Sequence, residues 1–197
     1  MTELRRRIID ASVTLVDEKG VRSISFREVA RRAGVSHQAP YHHFGNVHGI
    51  LRAIAEEGFS ALAKAMRSAA DGAGDDPIER MTKAGRAYVA FAHSNTGHFR
   101  VMFQQALVDI HDEHQPLREA GDAYQTLTEL ATAVCESGLA KETSVDELVR
   151  LAWSAVHGVS VLLVEGVLGR KTPATEDELA SIAASVADHI GRLLRSH

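Results

Sequence analysis

Apolar residues recur along this chain at three- and four-residue spacing rather than in alternation, which predicts helices and no sheet. Leu4, Ile8, Ala11 and Leu15 form one stripe that closes at Gly20, predicting a first helix of about four turns. Ser25-Phe26-Arg27-Glu28 has the form of a capping box opening a short helix over 26–33, and Gly34 stops it. Ser36 is placed to cap another short helix, about 37–43. A longer helix is expected over about 46–70. Asp71-Gly72-Ala73-Gly74-Asp75-Asp76 reads as linker, and Asp76-Pro77 supplies an N-cap and a first-turn proline for a helix over 77–94. Helices at about 97–110 and 116–138 follow. Ser144-Val145-Asp146-Glu147 and Thr175-Glu176-Asp177-Glu178 are two more capping boxes, opening helices at about 145–169 and 176–195. The pattern therefore predicts an all-α chain of about nine helices.

Composition sets the surroundings of that fold. With 45% of its 197 residues apolar, the chain can bury a large core without disulfides or a structural metal. Cys135 is the single cysteine, which excludes an intrachain disulfide and fits a reducing compartment. No apolar stretch follows the basic start Arg5-Arg6-Arg7, so no secretory signal is expected. The longest apolar run, Val159 to Leu168, contains Glu165 and Gly166 and is too short to span a bilayer. The expected location is the cytoplasm, with no membrane partner.

The net charge of −4 first argues against an acidic partner, but its distribution changes that inference. Residues 1–50 carry eight bases (Arg5, Arg6, Arg7, Lys19, Arg22, Arg27, Arg31, Arg32) against five acids, giving +3. The other 147 residues carry −7. A basic head on an acidic body suits a chain whose N-terminal segment meets a polyanion. In that segment the pattern helix 26–33, Gly34-Val35-Ser36, helix 37–43 is a helix-turn-helix, with the small Ala30 and Val35 at the crossing. Its second helix fits a major groove about 12 Å wide. The expected division is a DNA-binding domain over 1–50 and a larger helical domain over 51–197.

The residues Ile8-Ile9-Asp10-Ala11, Gly20, Ser25-Phe26-Arg27-Glu28-Val29-Ala30, Ala33-Gly34-Val35-Ser36 and Pro40-Tyr41-His42-His43-Phe44 resemble the N-terminal domain of the TetR (tetracycline-repressor-like) family. Trp153-x-x-x-His157-Gly158 resembles the C-terminal domain of the WHG-type branch, as do Ala87 to Ala92 and Arg100 to Phe103. The resemblance implies a homodimeric transcription regulator, usually a repressor, that leaves its operator when a small molecule binds the C-terminal domain. Two positions depart from the family pattern. Val47 and His48 stand where a Lys-Glu pair is frequent, removing one phosphate anchor, and Pro40 lies inside the expected recognition helix.

Ser36, His37 and Gln38 are expected to open the recognition helix, with Gln38 pairing bidentately with adenine. The resemblance places Tyr41 on a phosphate. His42 or His43 can act likewise, the other packing beside Phe44. Arg27 and the Ser25 hydroxyl, at the start of the preceding helix, are in position for phosphate. Arg5, Arg6 and Arg7 either clamp backbone or form a solvated first turn.

In the body, Tyr88, Phe91, Met102, Phe103, Tyr124, Trp153 and His157 are the expected lining of a largely apolar effector site, with Tyr88 and His157 as its polar groups. Ordinary core with a satisfied histidine is the competing reading. Apolar stripes on the last two helices, about 145–169 (Leu148, Leu151, Ala155, Val159, Leu162) and 176–195 (Leu179, Ile182, Val186, Ile190, Leu193), predict a four-helix homodimer interface.

Enzyme motifs are missing from the sequence: no Gly-x-Ser-x-Gly, phosphate loop, dinucleotide fingerprint or His-Glu-x-x-His occurs. No cofactor and no metal are expected. His111-Asp112-Glu113-His114 has helical metal-ligand spacing, but it adjoins Pro116 and reads more simply as a polar turn. An all-helical carrier without DNA activity is the other rival, and it has no use for Arg27, Gln38 and Tyr41 at these places. The partners expected are a double-stranded DNA operator, a second copy of the chain and a small-molecule effector.

Overall fold

The computed structural model describes residues 2–104, 118–140, 142–171 and 175–195. Among them are ten α-helices, one 3-10 turn and no strand. They are α1 (Glu3–Lys19), α2 (Phe26–Ala33), α3 (Ala39–Phe44), α4 (Val47–Asp71), α5 (Pro77–Ser94), α6 (Thr96–Met102), α7 (Arg118–Glu136), α8 (Val145–Val164), α9 (Val167–Lys171) and α10 (Glu176–Arg195), with the 3-10 turn at Val21–Ser23. The helix expected over 145–169 is broken at Glu165-Gly166, where Gly166 has φ +65° and ends α8. The continuous apolar pattern across that point concealed the break. The metal reading of His111 and His114 lies outside the described residues.

The chain forms two compact units, residues 1–59 with 95–120 and residues 60–94 with 121–197. The division therefore falls inside α4, nine residues beyond the expected boundary at 50, and the first unit also takes in α6. α6 joins that unit through α1. Thr96 Oγ1 donates to Asp17 Oδ1 at 2.5 Å, Arg100 reaches the Asp17 carbonyl, and a side chain at Gly97 would press on Val13 and Asp17. The core of this unit is Ile8, Ile9, Leu15, Val16, Phe26, Val29, Ile50 and Ile54, all nearly or fully buried. Each such aliphatic or aromatic side chain contributes roughly 1.5–3 kcal/mol when removed from water.

The helix-turn-helix is built by local chemistry. Ser25 Oγ accepts from the Glu28 amide to cap α2. The reciprocal half of the expected capping box is not made, because the Glu28 carboxylate is taken by Arg31 and Arg32. Gly34 adopts φ +61°, ψ +41°, a left-handed cap whose N–H returns to α2. Arg7 donates to the Ala33 and Gly34 carbonyls and so closes the same helix end. α3 starts two residues later than expected, at Ala39, with Gln38 as its N-cap and no side-chain cap from Ser36. Pro40 then falls in the first turn, where its missing N–H had no helical partner, and the helix needs no kink.

In the second unit α5, α8 and α10 pack on one another. Small residues allow close approach: a side chain at Gly85 would strike Ala187, and one at Gly191 would strike Thr82. Arg86 holds Asp188 with two hydrogen bonds (2.7 and 2.5 Å), and Arg195 holds Asp76 at 2.5 Å. Both remaining capping boxes form reciprocally, Ser144 with Glu147 and Thr175 with Glu178.

Candidate functional site

The α2–α3 surface separates folding residues from outward ones. Ala39 and Pro40 are the buried residues of α3. Ser25, Arg27, Ser36, His37, Gln38, Tyr41, His42 and His43, the eight residues expected at DNA, are all exposed. Tyr41, 51% exposed, keeps its ring edge-on to Phe26 at 4.2 Å, so one face is fixed by the fold and the hydroxyl end is free to reach outward. His37 lies 6.4 Å from the same ring. His43 sits beside Phe44 at 6.4 Å, and Arg5 lies over the Phe44 ring at 5.2 Å. Both histidines of the pair are exposed, so neither is a core residue.

Most of the basic head is engaged within the unit. Arg6 pairs with Asp10 at 2.7 Å and Glu57 at 2.8 Å. Arg32 bridges Glu18 and Glu28, and Arg31 holds Glu28 at 2.7 Å. These hydrogen bonds from Arg31 and Arg32 hold the Glu28 carboxyl down at about 2. Arg27 makes no hydrogen bond or ion pair among the described residues. Thus Arg27 is presented outward, while Arg5, Arg6 and Arg7 each contact a group within the unit.

Two residues that sequence reasoning passed over set where α3 ends. Asn46 Oδ1 accepts from the Gly49 amide at 2.9 Å and caps α4. A side chain at Gly49 would collide with the Phe44 carbonyl, so glycine is required for the last turn of α3 to lie against α4. The signal was present as Asn46 followed three residues later by Gly49.

Five of the seven expected effector residues lie in the second unit. Tyr88 and Phe91 are buried, His157 is half-buried, and Trp153 and Tyr124 are 40% and 49% exposed. Tyr124, Trp153 and His157 form a connected series of rings, with centroids 5.9 and 6.2 Å apart. Tyr88 Oη and His157 Nδ1 are 2.9 Å apart. Burial pushes the Tyr88 hydroxyl above the ordinary phenol range and the His157 imidazole below its usual value. The phenol is thus protonated beside a neutral imidazole, and the tautomer of His157 sets which of the two donates. Met102 and Phe103 are placed in the first unit: Met102 is fully buried against Gly58, and Phe103 packs on Phe59 and Phe99. Gly158 has open space at its Cβ among the described residues.

α8 is apolar around much of its circumference. Leu148, Val149, Ala152 and Val156 are buried, while Leu151 and Leu162 are 53% and 43% exposed. Ile182 and Leu193 of α10 are exposed as well, whereas Leu179 is buried. The predicted stripes thus divide between the unit's own core and an uncovered face.

A helix-turn-helix with polar side chains projecting from its second helix defines a sequence-reading DNA-binding protein. Residues 8–54 match the model of bacterial regulatory proteins of the tetR family, and residues 81–187 match that of the tetracyclin repressor-like C-terminal domain. The chain belongs to the TetR family and is a DNA-binding transcriptional regulator, a class that is not enzymatic. It is 26% identical over 191 residues to an uncharacterized HTH-type transcriptional regulator, YobS, of Bacillus subtilis, covering 96% of this chain and 92% of that one. It is 28% identical to the class A tetracycline repressor protein of transposon 1721 from Escherichia coli, over 81% of this chain and 67% of that one. Among solved structures, the TetR family regulator PfmR of Thermus thermophilus superimposes with TM-score 0.75 at 22% identity, over 98% of this chain and 97% of that one.

Proposed function

We propose that this regulator is a cytoplasmic repressor that binds a palindromic operator as a homodimer and leaves it when a small, largely apolar molecule binds the second unit. The exposure of all eight polar residues on one helix-turn-helix carries the DNA part of this reading. Gln38 reads a base edge, and Arg27, Tyr41 and the histidines meet phosphates. The dimer rests on the uncovered apolar faces of α8 and α10, with Leu151, Leu162, Ile182 and Leu193 at its centre. The effector reading rests on Tyr88 and His157, a hydrogen-bonded polar pair amid apolar residues. α4 runs from the first unit into the second, so a ligand that prefers one arrangement of the second unit can shift the spacing of the recognition helices.

The test is selection of bound genomic fragments followed by footprinting. The expected footprint is a pair of inverted half-sites about 34 Å apart, centre to centre. Molecules that bind the purified protein are then added to the complex. A footprint without inverted symmetry overturns the dimeric reading, and operator affinity unchanged by a saturating ligand overturns the release mechanism.

A further inference from the structure

We propose that Glu57 is a positioning residue for DNA binding that exchanges partners. Bound to Arg6 it holds α4, and with it the recognition helix, on α1; bound to His98 it ties α4 to α6 instead. The assignment rests on the DNA-binding reading of the α2–α3 surface and adds what aims that surface. All of these residues lie in the first unit. Two neighbouring residues of α1 grip the helices on either side of α3. Arg7 donates to the Ala33 and Gly34 carbonyls at the end of α2, and Arg6 Nη1 donates to Glu57 Oε1 of α4 at 2.8 Å. The first turn of α4 is packed on the end of α3, with no room for a side chain between Gly49 and the Phe44 carbonyl. α4 is one continuous helix over Val47–Asp71, so its attachment at Glu57 sets the direction in which α3 is presented.

The same carboxylate oxygen faces a second ring. His98 Nε2 of α6 lies 3.5 Å from Glu57 Oε1, yet it is a buried atom that makes no hydrogen bond among the described residues. Leaving a buried donor or acceptor unmade is costly, so such an atom points to another arrangement in which it is satisfied. Glu57 Oε1 is the acceptor within reach. Nε2 donates when it carries the ring proton, the tautomer that a facing carboxylate favours. The surroundings keep the two residues together. A side chain at Gly58 would collide with Met102 and press on His98 Cβ, so α4 and α6 lie close at this level. α6 is itself fastened to α1, where Thr96 donates to Asp17 at 2.5 Å. Arg6 can give up Glu57, because Asp10, one turn along α1, already holds it at 2.7 Å. The exchange replaces one hydrogen bond to Oε1 with another and satisfies His98, but it releases α4 from α1. The two arrangements thus lie close in free energy and differ in how α3 is aimed.

The experiment uses the full chain and a fluorescent random-sequence duplex, so that neither operator nor effector need be known. Affinity is measured by anisotropy over a salt series. Arg6→Met leaves Glu57 to His98 and should weaken binding about tenfold, the effect of leaving about a tenth of the molecules in the competent arrangement. Its salt slope should match wild type, whereas loss of a direct phosphate contact would reduce the slope by about 1. His98→Phe should bind within about twofold of wild type, and Arg6→Met/His98→Phe should recover most of the loss, because nothing then draws α4 away from α1. Recovery is the decisive outcome, since two residues with separate structural roles give losses that add. Long-range 1H–15N spectra should show the His98 Nε2 proton shifted downfield in Arg6→Met. Circular dichroism checks folding, and His98→Leu replaces His98→Phe if the larger ring is not accommodated. An Arg6→Met variant that binds as wild type, or that loses affinity only through its salt slope, overturns the exchange, as do additive losses in the double variant. A wild type that fails to bind the duplex at low salt overturns the DNA reading itself.

Discussion

Around α3 the buried Ala39 and Pro40 fold the unit, Gln38 and the histidines face outward, and Tyr41 does both through its edge contact with Phe26. Around α8 the two sets overlap. Tyr88, His157, Trp153 and Tyr124 form one series that runs from buried to half-exposed through direct contacts. Changes to Gln38, Arg27 and the histidines should therefore alter binding and leave stability alone, because exposed polar side chains that make no cap bond or core contact contribute little to folding. Changes around α8 should alter stability and ligand response together. Under the proposed effector reading, a site that shares residues with the core would pass ligand binding into the packing of the whole unit.

The largest test of that contrast uses the part of α8 that is uncovered. Leu151→Glu/Leu162→Glu places two charges on a face that is apolar and exposed in one subunit. If a second copy covers it, sedimentation should change from dimer to monomer, and operator affinity should fall by about a hundredfold or more as two linked half-sites become independent. A dimer that survives both charges would move the interface elsewhere. Gln38→Ala should cost about 1–3 kcal/mol on the operator, relax one base position and leave the melting temperature unchanged. Arg27→Ala should weaken operator and random DNA alike and reduce the salt slope by about 1. Equal losses for Gln38→Ala on both DNAs would sink its reading role.

Tyr88→Phe probes the overlapping set. It removes the hydrogen bond to His157 Nδ1 while keeping the ring, and should lower the stability of the chain by roughly 0.5–1.5 kcal/mol. The pair also has a pH signature. Burial lowers the imidazole below its unfolded value, so the folded state binds fewer protons and stability declines as pH falls below about 6.5. Denaturant melts of His157→Gln should lack that part of the decline. If Tyr88→Phe changes effector response without changing stability, the overlap argument fails.

How much of this was legible in the sequence follows the same division. The helix-turn-helix is written in about fifty consecutive residues whose spacing, caps and Gly34 turn act locally, so its elements and all eight outward residues could be placed. What escaped was competition among side chains. Glu28 had two uses, as a capping partner and as a carboxylate for Arg31 and Arg32, and the arginines took it. Likewise Ser36 could not cap a helix that begins at Ala39. The residues expected at an effector site were harder to place because they lie far apart in the chain. Large apolar or aromatic side chains marked Met102, Phe103, Tyr88 and Trp153 equally, yet Met102 and Phe103 fold into the first unit with Gly58 and Phe59. The stripes of α8 and α10 could not reveal which leucines a subunit covers for itself, and Leu148 differs from Leu151 only by its place around the helix.

The smallest expected effect bears on the reading face most directly. Glu28→Gln leaves α2 and its Ser25 cap in place, because the cap uses the residue's backbone amide. It releases Arg31 and part of Arg32 from the carboxylate that holds them. Since that carboxyl is held at about 2, the ion pairs exist at every pH above the ordinary carboxylate range and fade as pH falls toward that value. The variant should therefore be slightly less stable than wild type near neutral pH and indistinguishable from it at the acid end. Its affinity for random duplex should rise a few-fold, with a salt slope steeper by about 1, as one more cation becomes available to phosphate. Operator affinity should gain no more than random DNA does, because neither arginine reads a base in this scheme. A selective gain on the operator would place Arg31 or Arg32 among the reading residues, and the separation of folding from reading on this face would no longer hold.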